Sequence, residues 1–297
     1  AVEETLAQVW SEVLHVEQVG IDDNFFLLGG DSIRSVQVLS TAQERGLNLT
    51  LQQLFKHQTI RNMVQEMTPA EEVVAVTPPE EPFSLISEED RVQISGDVED
   101  AYPLTMVQVG MLFHSEFNPD TAIYHSINSF HLKARFRLEA LREALDYMAA
   151  RHTLLRTSFD LANFSEPLQL VHSSVQVPLQ EHDLRHLSHA EQEMVIKEWL
   201  EAEKVRHFDW RVPPLMRVDV HRRTDETFQF TFTAHHAIID GWSDGLFLTE
   251  LFNVYTSLLN GEGLPTQPPL VATFRQYVAL EREALESEEC RQFWLDK

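Results

Sequence analysis

The chain has 297 residues, 43% hydrophobic and 24% charged, and 23 Lys and Arg against 47 Asp and Glu give it a formal charge of −24. That length suits about two ordinary domains with packed cores, which excludes a disordered chain, and so negative a surface would repel a phosphate backbone, so no nucleic-acid partner is expected. No apolar run approaches the roughly 20 residues of a membrane helix and the N-terminus lacks a signal-peptide pattern, so no membrane is expected and the predicted location is cytoplasmic, in keeping with the single cysteine, Cys290.

In chain order, residues 1–67 read as all-helical. Leu6, Val9, Trp10, Val13 and Leu14 recur at helical spacing on one face of a first helix. A loop with Gly20, Asp22, Asp23 and Asn24 follows and closes in Phe25-Phe26-Leu27-Leu28-Gly29-Gly30. A second helix is predicted from about Ser32, with Ile33, Val36, Val38 and Leu39 apolar, ending near Gly46 as a C-terminal cap. A short segment at Leu51–Phe55 and a last helix from about Thr59 to Met67 complete a four-helix bundle. Residues 68–100 change character. Pro69, Pro78, Pro79 and Pro82 stand among many acids without a sustained period, which reads as an acidic linker. Phe83, Leu85 and Ile86 form an apolar island in it, expected to lie against a domain surface.

From residue 101 to 297 helices and strands alternate, so the fold class is multi-domain: an all-α bundle plus an α/β lobe. Leu138, Leu141, Leu145 and Met148 mark an amphipathic helix leading into Arg151-His152-Thr153-Leu154-Leu155-Arg156-Thr157-Ser158-Phe159. Met216, Val218 and Val220, then Phe228, Phe230 and Phe232, alternate on either side of a turn at Arg222–Glu226, predicting two strands with one face buried. The second strand runs into His235-His236-Ala237-Ile238-Ile239-Asp240-Gly241-Trp242-Ser243, and a helix is predicted from about Asp244 to Asn260.

Two places carry chemistry. Asp31 and Ser32 after Gly29-Gly30 have a plain reading as helix-opening residues, whose oxygens accept backbone N–H bonds. The other reading is a serine hydroxyl exposed where a phosphodiester can be attached, its charge favoured by first-turn N–H groups and the helix dipole. His235-His236 with Asp240 invites a metal, but adjacent strand residues point to opposite faces, so no metal site is expected. What stays open is a pair of satisfied structural histidines, or one histidine facing a cavity while the other packs inward, with Asp240 fixing the loop and Gly241 permitting the turn. His114 and His125, lone histidines in packed segments, read as core.

Residues 1–67, above all Asp23-Asn24-Phe25-Phe26-Leu27-Leu28-Gly29-Gly30-Asp31-Ser32-Ile33, resemble a peptidyl carrier domain of nonribosomal peptide synthetases. The resemblance implies covalent 4′-phosphopantetheine on Ser32, added by a phosphopantetheinyl transferase. Asp31 before that serine resembles carriers that precede epimerisation domains. The run His235-His236-Ala237-Ile238-Ile239-Asp240-Gly241 resembles the signature of condensation domains, whose fold is similar to chloramphenicol acetyltransferase. Tyr102–Ser115, Arg151–Phe159 and Phe274-Arg275-Gln276-Tyr277 resemble further motifs of that family, and Trp242-Ser243 fits condensation better than epimerisation. The resemblance implies amide formation between thioester-bound aminoacyl or peptidyl substrates, with an upstream adenylation domain and a downstream acceptor carrier domain as partners. It makes His236 the active-site residue and gives His235, Asp240 and Gly241 supporting roles, with Arg151 or Arg156 as partner of Asp240. Condensation domains have two lobes and the resemblance covers the N-terminal one, so these 297 residues alone are expected to be inactive in condensation. The competing expectations are a carrier with an inert docking lobe, or with an epimerisation domain.

Overall fold

Apolar residues at helical spacing build the first of two compact units, Ala1–Val76 and Thr77–Lys297. The computed structural model describes residues 2–47, 49, 51–66, 81–118, 122–266, 270 and 272–295. Helices α1 (Val2–Leu14), α2 (Ser32–Glu44), α3 (Leu51–His57) and α4 (Ile60–Glu66) form the expected bundle. Leu6, Val9, Trp10 and Leu14 of α1 bury against Val38 and Ala42 of α2, Leu54 of α3, and Ile60 and Met63 of α4. The side chains of Ile33 and Val36 lie outside the described residues. Past α2, Gly46 takes φ +78, the left-handed region glycine enters without cost, and Leu47 N donates to Ala42 O at 2.9 Å.

The linker expected through residue 100 extends too far. Residues 67–80 lie outside the described residues, but 81–100 are built into the second unit, with α5 (Glu88–Gln93) and the start of β1 (Val98–Pro103). Asp90 is buried and accepts from Ser165 N at 2.9 Å. Asp100 accepts from Phe83 N at 2.7 Å and pairs with the Arg275 guanidinium. Leu85 packs beside Tyr102, Val171 and Val278, so the apolar island does dock. Acids with partners 75 and 175 residues away look like free linker charge in the sequence.

The second unit holds two sheets. One is antiparallel, in the order β1-β4-β3, with β3 (Thr157–Asp160) and β4 (Leu168–His172). The other runs β2-β7-β6-β5, with β2 (His125–Lys133), β5 (Leu179–Asp183), β6 (Met216–Arg222) and β7 (Thr227–His235); only β5 and β6 are parallel. In the β6–β7 hairpin Val218 lies opposite Phe232 and Val220 opposite Phe230, so the predicted apolar alternation shares one face. Helices α7 (Leu138–Arg151) and α9 (Gly241–Asn260) cover that face with Leu141, Leu145, Met148, Phe247, Leu251 and Val254. Each such side chain contributes roughly 1.5–3 kcal/mol by leaving water.

The opposite face is not solvated as predicted. Arg217, Asp219 and His221 of β6 are buried too, under α8 (His189–Glu203). The Arg217 guanidinium pairs with Glu203, His182 Nε2 lies 2.9 Å from Asp219 Oδ1, and the His221 ring stacks on His182 at 4.5 Å with Trp199 edge-on at 5.1 Å. Polar side chains tolerate burial when each finds a partner, and alternation along one strand does not reveal partners on another element. Helices α6 (Met106–Phe117), α10 (Phe274–Glu286) and α11 (Glu288–Leu295) complete the unit. Among the described residues no helix is long and apolar enough to cross a membrane.

Candidate functional site

In the first unit the loop before α2 is organised by Asn24. Its Oδ1 accepts from Phe26 N at 2.9 Å and Leu27 N at 3.2 Å, and its Nδ2 donates to Gln58 Oε1 at 2.9 Å. Phe25 meets Trp10 at 5.0 Å and Phe26 at 5.2 Å, which fastens the loop to the core. Gly29 takes φ +95, and Gly30 N returns to Phe25 O at 2.9 Å. A Cβ on Gly30 would sit 2.4 Å from the Phe25 ring and 2.6 Å from its carbonyl oxygen, so glycine alone fits. Asp31 is the N-cap of α2, its Oδ1 accepting from Arg34 N at 2.8 Å, and Ser32 is the first helical residue. The Ser32 side chain lies outside the described residues.

The helix opening fits a phosphopantetheine arm. Beside Ser32, Gly29 and Asp31 are exposed and Leu27 is 88% exposed. The Asp31 carboxylate occupies one first-turn N–H, which leaves fewer of them for a phosphate than the sequence reading assumed.

In the second unit β7 ends at His235, and His236 begins the turn that follows. His235 is fully buried on one face: its Nδ1 accepts from Ala237 N at 3.1 Å, its Nε2 lies 3.4 Å from Ser115 Oγ, and His125 and Trp210 pack on it at 5.5 Å. Burial first, then the neighbouring His125 and His236, pushes it down to about 3, so it is neutral. His236 is partly buried. Its backbone N donates to Tyr124 O at 2.8 Å, and its Nδ1 lies 3.1 Å from Ile239 O. A carbonyl only accepts, so Nδ1 carries a proton, and in the neutral ring Nε2 is then the acceptor.

Asp240 is the N-cap of α9, with Oδ1 accepting from Ser243 N at 2.7 Å. Burial raises its proton affinity, but bonds from Ser243 and the Trp242 backbone outweigh this and hold the carboxyl below its usual range. The helix therefore begins at Gly241, three residues before the predicted start. Gly241 stays outside the left-handed region and a Cβ there would meet nothing within 4 Å, so it is not needed for the turn and leaves open space beside the histidine loop.

The arginines do not serve Asp240 as expected. Arg151 pairs with Glu250 of α9 at 2.8 Å. Arg156 is buried in a 3-10 turn (Thr153–Arg156), donates from Nε to Ala149 O at 2.8 Å, and pairs with Glu99 at 2.8 Å. A capping carboxylate satisfied by backbone N–H groups has less need of a guanidinium.

Sequence reasoning passed over several residues the structure brings here. Gln108 of α6 donates from Nε2 to Ala237 O at 2.9 Å, and the only hint of it was Thr105 three residues earlier, since the two form a capping box. His125, read as plain core, packs on His235 across the β2–β7 register. Asp244, in the first turn of α9, accepts from Asn128 of β2 at 3.2 Å, and nothing in the sequence distinguishes it from an ordinary helix-opening acid. Among the described residues no group of three or more His, Cys, Asp or Glu side chains could hold a metal ion.

The family model of the condensation domain matches residues 98–297, that of the phosphopantetheine attachment site matches residues 4–67, and the chain belongs to the condensation-domain family with such an attachment domain ahead of it. AMB antimetabolite synthetase AmbE of Pseudomonas aeruginosa is 37% identical, covering 100% of this chain and 14% of that protein. A linear gramicidin synthase of Brevibacillus parabrevis is 32% identical, covering 99% of this chain and 4% of that protein. The chain thus spans a small part of these relatives. The starter condensation domain of rhizomide synthetase RzmA superposes with a TM-score of 0.58 at 17% identity, covering 66% of this chain and 49% of that one. The four-domain nonribosomal peptide synthetase AB3403 gives 0.53 at 23%, covering 66% and 14%. The fold of the second unit is accordingly that of condensation domains, similar to chloramphenicol acetyltransferase.

Proposed function

We propose that the chain presents an acyl group from Ser32 and that its second unit serves amide formation in nonribosomal peptide synthesis. The amine of a downstream aminoacyl thioester would attack the carbonyl of an upstream acyl or peptidyl thioester. The observation that carries this reading is the hydrogen bond from His236 Nδ1 to Ile239 O at 3.1 Å, which in the neutral ring leaves Nε2 as an acceptor for an amine N–H. As the N–C bond forms and the C–S bond breaks, Nε2 orients the amine lone pair and takes up the departing proton. Because a thioester is already activated and a neutral amine is a good nucleophile, holding the two together supplies much of the acceleration. His235, neutral and enclosed, holds the strand end, and Asp240 anchors the loop to α9.

Bound to Ser32, 4′-phosphopantetheine supplies a long tether ending in a thiol that carries the acyl group. Gly30 keeps the chain tight before Ser32, and Asp31 sets the start of the helix. The partners in this reading are a phosphopantetheinyl transferase, an upstream adenylation domain and a downstream acceptor carrier. The superposed 66% of this chain covers 49% of a solved starter condensation domain, so a polypeptide of these 297 residues alone is expected to give far less product than the longer synthetase.

Two measurements test the reading. Intact mass after treatment with a phosphopantetheinyl transferase and coenzyme A should rise for the wild type and not for Ser32→Ala. In the chain extended through the rest of its synthetase, His236→Ala should cut amide product by roughly 10²–10⁴-fold. Product equal to wild type would remove His236 from the reaction.

A further inference from the structure

Two buried carboxamides lie beside the histidine loop, and the chemistry of their neighbours fixes which end of each amide faces which way. Thr105 N can only donate and lies 3.0 Å from Gln108 Oε1, so the other end of that amide is Nε2, which donates to Ala237 O at 2.9 Å. Pro103 O can only accept, so Gln169 meets it with Nε2 at 2.9 Å, and the same Nε2 donates to Gln108 Oε1 at 3.0 Å. Gln108 is 3% exposed and Gln169 0%, which keeps water from taking either place.

Residues 236–240 join β7 to α9. The start of this loop is tied to the strand ends: His236 N donates to Tyr124 O at 2.8 Å, Ala237 N to His235 Nδ1 at 3.1 Å and Ile238 N to His235 O at 3.1 Å. Gln108 comes from a different element, α6, and holds the carbonyl of Ala237. That peptide lies between His236 and Ile239, whose carbonyl oxygen is 3.1 Å from His236 Nδ1. Ala237 and Ile238 are buried, so a carbonyl released by the loss of Gln108 has no water beside it and the loop must move to satisfy it. Such a movement displaces Ile239 O from the imidazole that it orients.

Resting on the function proposed above, we propose that Gln108 is a positioning residue for amide formation: through Ala237 O it holds the peptide that places Ile239 O against His236 Nδ1, and so aims Nε2 at the amine. Gln108 is uncharged, so it acts through geometry. Reacting groups misplaced by about 1 Å lose roughly 10²-fold in rate.

The first test needs no condensation. Imidazole ¹⁵N signals of His236 in the 297-residue chain should show the Nδ1-protonated form of the neutral ring in wild type, and a mixture with the Nε2-protonated form in Gln108→Met. Gln108→Leu, which also lacks a donor, should give the same mixture and guards against one variant failing to fold. Signals identical to wild type in a folded variant overturn the inference and leave the reaction at His236 standing. The second test uses the full synthetase, where both variants should lower kcat roughly 10–10²-fold with KM for both thioesters unchanged. Ser188→Ala, which breaks the capping box of α8 on the far side of the sheet, should lower the urea midpoint of the same unit and keep kcat. An unchanged kcat in the Gln108 variants, a change in KM alone, or a loss of kcat in Ser188→Ala as large as theirs overturns the inference. Only wild-type product from His236→Ala would overturn the function on which it rests.

Discussion

Gln108 Nε2 donates to the carbonyl oxygen of Ala237 at 2.9 Å, so a side chain of α6 holds the loop that carries His236. Gln108 Oε1 in turn accepts from Thr105 N and from Gln169 Nε2, both at 3.0 Å, and Gln169 Nε2 also reaches Pro103 O at 2.9 Å. Both carboxamides are buried. The histidine loop at the end of one sheet is thereby fastened to the strand ends of the other through a closed amide network, the kind of buried polar arrangement that selects one geometry when every member is satisfied.

Gln108→Ala should destabilise the second unit by about 2–4 kcal/mol, because it strands the Ala237 carbonyl and the Gln169 carboxamide, each costing about 1–3 kcal/mol when buried and unpaired. Urea unfolding reports this directly. An unchanged midpoint and slope would mean that the loop needs no such fastening.

Gly30→Ala places a methyl group on the Phe25 ring and carbonyl. Overpacking of this kind costs about 1–3 kcal/mol, so the first unit should melt several degrees lower. Retention of the wild-type Tm would show that the Phe25 loop yields easily and that glycine here has another purpose.

The two arginines should separate cleanly. Arg156→Ala removes a buried guanidinium that serves Ala149 O, His172 O and Glu99, and should cost about 3 kcal/mol. Arg151→Ala should cost about 1 kcal/mol, since His152 Nε2 remains on Glu250 at 2.7 Å. The reverse order in denaturant unfolding would contradict these partner assignments.

Acid should weaken the second unit before its carboxylates titrate. Burial pushes His235 to about 3 and His221 to about 4 in the folded state, against an ordinary 6.5. Depressed folded values mean that the unfolded chain binds protons first. Their stabilising contribution is therefore complete above pH 6.5 and is lost as pH falls towards 4. His125 is pushed down to about 4 as well. Each histidine adds about 1.4 kcal/mol per pH unit, so the three give a slope of roughly 4 kcal/mol per pH unit in that window. His221→Gln should lower it by about a third. A stability flat between pH 6 and 4.5 would mean that these rings are protonated inside the fold.

Much of the architecture was legible because it rests on local pattern. The spacing of Leu6, Val9 and Trp10 places α1, Gly46 ends α2, and the alternation of Val218 and Val220 with Phe230 and Phe232 yields the hairpin face found. The far side of β6, the extent of the linker and the partners of Arg151, Arg156 and Asp240 were not legible, since each depends on a residue that only another element supplies.

By itself, then, the amino-acid order determined the four-helix bundle, the helix that Ser32 opens, the amphipathic helix at Leu138–Met148 and the hairpin of β6 and β7. These are consequences of backbone period, capping and the steric freedom of glycine within a few residues. Tertiary structure alone decided that Asp90 and Asp100 are buried partners, that Gln108 grips the histidine loop, and that Asn128 of β2 holds Asp244 of α9. Charge and hydrogen-bond complementarity act through space over a few ångströms, and strand register, not sequence distance, brings those groups together.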